Sequence, residues 1–129
     1  MVKVIPPRLV EPYLAGQRSV IAGYVYRASD CSFRTPADYY QALALGYEGS
    51  EFSAGMAELF VLRWIALDMS ASLVAGPRAS GSPVSVIPEF FTLPVPIPVG
   101  AEMGRVTFGG EEFIGRYDGQ AWLRPLREA

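Results

Sequence analysis

Residues 93 to 99 read Leu-Pro-Val-Pro-Ile-Pro-Val, with proline at 94, 96 and 98. In an extended strand the N–H groups of alternate residues point toward the same neighbour, so these prolines erase the donors along one edge. That edge cannot carry a regular ladder. Leu93, Val95, Ile97 and Val99 keep their donors and place their side chains on the opposite face. The segment reads as a strand that pairs on one side and buries one face, with Glu89 at its entrance after Pro88.

Half of the 129 residues are apolar. A chain of this length buries roughly two-thirds of the surface its unfolded form exposes, so residues 1–129 read as one domain. The net charge is −2 and the basic residues are dispersed. No patch suited to a phosphate backbone results, and nucleic acid is not an expected partner. Arg63 interrupts the apolar run ELFVLRWIALDM, which leaves no stretch near the ~20 residues that span a bilayer. Prolines at 6, 7 and 12 stand where a signal peptide needs an unbroken apolar segment. The expectation is a soluble chain without membrane association, cytoplasmic or delivered by a non-classical route.

Cys31 is the single cysteine and there is no histidine. An internal disulfide, a thiol-pair metal site, His-ligated metals and every Ser-His-Asp or Cys-His arrangement are thereby removed. No metal is expected. Any catalysis is left to carboxylates, hydroxyls, arginine and backbone dipoles.

Along the chain, residues 1 to 16 read as an extended lead-in, and SVIAGYVYR (19–27) as a strand ending at Arg27. Thr35 as N-cap, Pro36 at the first helical position, Asp38 in the first turn and Gly46 past the end predict the main helix, with Tyr39, Leu43 and Tyr40 toward the core. The run AELFVLRWIAL fits helix or strand, and we read 59–66 as strand. Residues 74–83, rich in glycine and proline, read as a loop. RVTF, EEFIGRY and AWLRPL, separated by Gly109-Gly110 and Asp118-Gly119, read as a three-strand meander. The sum is a small α+β domain, its mixed or antiparallel sheets mostly in the C-terminal half and its one main helix in the N-terminal half.

Without histidine, the residues suited to chemistry are Arg27, presented at a strand end where it can fork onto phosphate or carboxylate, and Glu89, flanked by Pro88 and Phe90. A carboxylate can stabilise an oxocarbenium-like transition state by position and charge. Ser80 and Ser82 lie in the open loop, Ser70 and Ser72 form a Ser-x-Ser pair, and Glu111 and Glu112 read as an exposed hairpin tip.

GYVYR and PEFFTLPVPIPVGAEMGRV together resemble the first and third elements of the mono-ADP-ribosyltransferase fold, which includes small NAD-consuming bacterial toxin domains. The resemblance spans about half the chain. It implies NAD as substrate, Glu89 as the catalytic carboxylate, and Arg27, Tyr26, Ser80, Ser82 and Phe90 as its binding residues. Arg27, Ser70 and Glu112 form a rival placement. Ile87 stands where an acidic partner would direct transfer to arginine, so the resemblance implies NAD hydrolysis or transfer to another acceptor. A protein acceptor or a neutralising immunity or antitoxin protein would be the partner.

The competing expectation is a structural or assembly protein, such as a phage virion component or a partner-binding module. Its support is the one-sided proline strand, the meander and the apolar composition.

Overall fold

The computed structural model describes residues 1–46, 50–65 and 85–125, and 71–73 as backbone. The N-terminal half supplies β1 (Val2–Ile5), α1 (Val10–Leu14), β2 (Val20–Val25), α2 (Pro36–Ala42) and β3 (Glu58–Arg63). Then come β4 (Ala71–Leu73), β5 (Phe90–Pro96), β6 (Glu102–Thr107), β7 (Gly110–Tyr117) and β8 (Trp122–Leu123). The strands form a large sheet in the order β1-β3-β6-β7-β8 and a small one in the order β2-β5-β4. Every described strand pair is antiparallel. The fold is α+β, as the residue patterns imply.

β3 explains why periodicity alone leaves its run ambiguous. Leu59 and Val61 face one core while Phe60 and Leu62 face another, so both faces of the strand are apolar. The first core packs Ile5, Phe60, Leu62 and Met103 of the large sheet against Val10 and Tyr13 of α1 and Ile21 and Val25 of β2. The second packs Val2, Val4, Leu59, Val61 and Val106 against Tyr39 and Leu43, with Tyr26 beside them. The large sheet is thus covered on both faces. The two sheets meet where Val2 and Tyr26 exchange backbone hydrogen bonds of 2.7 and 2.8 Å.

α2 begins as its sequence dictates. The Thr35 side chain accepts from the Asp38 N–H and the Asp38 carboxylate accepts from the Thr35 N–H, a reciprocal pair of caps. Its end differs from expectation. Leu43 closes the helix and Ala44 takes the left-handed position (φ 55) that Gly46 was expected to fill. Gly46 instead lies against the Tyr40 hydroxyl, which leaves no room there for a Cβ.

The N-terminal segment corrects the extended reading. Residues 2–5 form β1, Pro7–Leu9 a 3-10 turn, and Val10–Leu14 the helix α1. Proline is compatible with each place it occupies, because the first helical N–H groups have no intrahelical acceptor. Val10 and Tyr13, three apart, give α1 its buried side. In the C-terminal meander the first hairpin turns on Phe108-Gly109, with Gly110 taking the positive φ of 118.

β5 is the one-sided strand that its prolines require. Ile97 donates its N–H to Ser19 O (3.2 Å), and Pro96 pairs with Val20, which turns the proline nitrogens away from β2. On the other edge the described pairing with β4 runs from Phe90 to Thr92, short of Pro94. The expected buried face is broken, however. Between the pairs Ile21–Val95 and Gly23–Thr92, β5 carries Leu93 and Pro94 where β2 carries Ala22 alone. This bulge flips the side-chain phase. Thr92 is buried, Leu93 is 67% exposed, and Ile97 is buried again. Val99 lies past the strand, in the turn before β6, and is exposed.

Candidate functional site

Glu89 directly precedes β5, and the chain leading to it is tied to α2. The Val86 N–H and the Ser85 hydroxyl both donate to Ala42 O, at 2.8 and 3.3 Å, satisfying a carbonyl at the helix end. Since Val25 pairs with Phe90, the next residues outward, Tyr26 and Glu89, come opposite each other on the same side. Glu89 is 7% exposed, and the Tyr26 hydroxyl donates to its Oε2 at 2.5 Å. That hydroxyl also lies 3.4 Å from Leu43 O. The pair pins the β2–β5 junction to the end of α2.

Arg27 and Phe90 form a second pair. The guanidinium lies 5.3 Å from the centre of the Phe90 ring, and its Nε donates to Asp30 at 3.2 Å in a half-exposed ion pair. Strand alternation puts Val25, Arg27 and Phe90 on one side and Tyr26 and Glu89 on the other. The structure therefore brings Tyr26 to Glu89 and Arg27 to Phe90, and turns Arg27 and Glu89 to opposite sides of the strand pair. Ser80, Ser82 and Ser70 lie outside the described residues, as does the loop 74–83.

Sequence reasoning missed a polar network beside α2 on the large sheet. Arg63 donates to Glu111 at 2.5 Å and to the Tyr39 hydroxyl at 3.1 Å. Gly104 makes room for it, since a Cβ there would stand 3.1 Å from the Glu111 side chain. Burial pushes the Tyr39 hydroxyl up, with Arg63 opposing. Burial would lower Arg63, but its bonds to Glu111 and Tyr39 hold it above its ordinary value. Burial likewise pushes the nearby Cys31 thiol up to about 11, with Arg63 pulling the other way, so the thiol is protonated and unreactive near neutral pH. A depression of about 160 Å³ lies beside Arg63 and Glu111, lined also by Glu102 and Phe113. Its charges are already matched, Glu102 to Arg116 and Glu111 to Arg63. Arg63 pairs with Glu102 and Glu111 with Val106, so the two reach each other across the sheet surface and meet Tyr39 only where α2 packs on it, and their spacing in sequence carries no sign of this. Glu111 and Glu112, read as an exposed hairpin tip, are both exposed, and Glu112 also pairs with Arg105 at 3.7 Å.

Neither β2 nor β5 contains a charged residue. Tyr24 and Phe91, directly paired, meet edge to face at 5.4 Å, and Phe91, Leu93 and Val20 are 42%, 67% and 38% exposed.

Among the described residues no group of carboxylates and thiols is placed to hold a metal ion, and no helix is long and apolar enough to cross a membrane. No family model, curated protein or solved structure matches the chain.

Proposed function

We propose that the chain is a structural interaction module whose small sheet docks, by its outward face, against a second copy of itself. One observation carries this reading: Phe91, Leu93 and Val20 are exposed, with the half-buried Tyr24 against Phe91, on two strands without a single charge. One-sided antiparallel sheets ordinarily turn polar residues outward, and an apolar face left open marks an interaction surface. A face without charges meets its own two-fold image with no like-charge repulsion. Pro94 and Pro96 block strand addition at the neighbouring edge, which favours face-to-face packing over sheet extension. Sedimentation velocity across a concentration series tests the reading. A boundary moving from monomer to dimer supports it, and a monomer at every concentration overturns it.

The NAD-consuming reading stands second. It requires Arg27 and Glu89 to act on one substrate, whereas these side chains leave opposite sides of the strand pair. Nicotinamide release from NAD separates the two readings. Turnover by the wild type that Glu89→Gln abolishes would favour the enzyme, and no release by either favours the module.

A further inference from the structure

A groove of about 460 Å³ lies between the N-terminal segment and β2. Lys3, Arg8 and Arg18 line it with one carboxylate, Glu51, so a chain of net charge −2 gathers positive charge here. Arg8 is paired with Glu51. Arg18 is held differently. Its guanidinium sits 5.5 Å from the centre of the Tyr13 ring, and Tyr13 is itself fixed in the first core, with its hydroxyl donating to Val20 O at 3.1 Å. In that position the Arg18 Nε is buried and has no hydrogen-bond partner among the described residues. A buried donor on a charged group is costly to leave unmatched. An arginine at the rim of a groove would ordinarily turn such a donor to water, but stacking on Tyr13 keeps this one in place.

We propose that the groove binds a small organic carboxylate with an apolar body, held through the Arg18 guanidinium. The Nε is closed off by its burial, so the fork is offered by the outer edge of the guanidinium, whose two terminal nitrogens match the two oxygens of a carboxylate in a pair of charge-assisted hydrogen bonds. With Arg8 engaged by Glu51, the groove suits a single negative charge better than a phosphate dianion. Pro6, Leu9 and Phe52 form apolar walls for the rest of the ligand. Gly23, at φ +94, keeps β2 close to Lys3, whose Nζ is 3.3 Å from where a Cβ at Gly23 would stand. The cationic side of the groove is therefore built by backbone as well as side chains.

Titration of the full chain with 3-phenylpropionate at constant ionic strength, followed by calorimetry and by NMR shifts, tests the proposal. Saturable binding at one site per chain is expected, with the shifts centred on residues 3–9, 18–22 and 51–52. Arg18→Gln should weaken binding at least about tenfold, the loss of one charge-assisted pair. Arg18→Lys, which keeps the charge and loses the fork, should fall between. The uncharged 3-phenylpropionamide should bind weakly. Wild-type affinity in Arg18→Gln with an unchanged circular dichroism spectrum would overturn the proposal. So would equal binding of the amide, or tighter binding of inorganic phosphate than of the carboxylate.

Discussion

Glu89 illustrates what a single side chain does when it is buried beside an aromatic hydroxyl. The Tyr26–Glu89 bond is a buried side-chain hydrogen bond, for which a net contribution of about 0.5–1.5 kcal/mol is typical. Tyr26→Phe should therefore lower unfolding free energy by that amount in urea titration, and an unchanged midpoint would show the bond to be dispensable. At the start of α2, the Asp38 carboxyl is held below its ordinary value by its bond with Thr35, aided by the Arg34 and Thr35 N–H groups. A carboxyl with a depressed folded value adds stability that is fully present above its unfolded value and lost as pH falls through the folded one. The melting-temperature difference between wild type and Asp38→Ala should shrink as pH drops through the acid range, and a difference independent of pH would contradict the capping role. These caps were legible from Thr35, Pro36 and Asp38 because capping is local. The relation of Arg27 to Glu89 was not. The sequence shows one residue at a strand end and the other at a strand start, but only the pairing of Val25 with Phe90 reveals that they point to opposite sides.

At the scale of elements, the proline alternation fixed the edge of β5 and left its faces open. Three prolines at every second position say which donors are missing, a property of β5 alone. The face a side chain takes depends also on the partner strand, and the bulge opposite Ala22 turns Leu93 outward. β3 was ambiguous for a related reason, since a strand covered on both faces loses the alternation that marks a strand. The meander was legible because its turn residues are local, and β1 and α1 were obscured because three prolines near the N-terminus resemble a loop composition while occupying positions a short helix tolerates. Removing the edge protection is a direct test of this element. The double substitution Pro94→Ala and Pro96→Ala restores two donors on the edge of β5 turned away from β2, and should raise light scattering on heating well above wild type while the circular dichroism spectrum is kept. Equal scattering would show that the prolines do not guard this edge.

At the scale of the molecule, the large sheet is shielded on one face by α2 and on the other by α1 and the small sheet, and the small sheet exposes Val20, Phe91 and Leu93. The chain's charged residues are spent mainly in pairs elsewhere, Arg63 with Glu111, Arg105 with Glu58 and Arg116 with Glu102. None falls on β2 or β5. Matched charges on the large sheet and exposed, uncharged apolar residues on the small one are what the proposed self-association requires. Sedimentation equilibrium on wild type, Leu93→Asp and Leu123→Asp measures this most directly. Leu123 is exposed on β8, in the other sheet, and serves as the control. The account predicts a wild-type dimer that Leu93→Asp weakens by more than about tenfold and Leu123→Asp leaves intact, as expected when charge enters the centre of an apolar interface. Identical association in all three proteins, or a monomeric wild type, would contradict it.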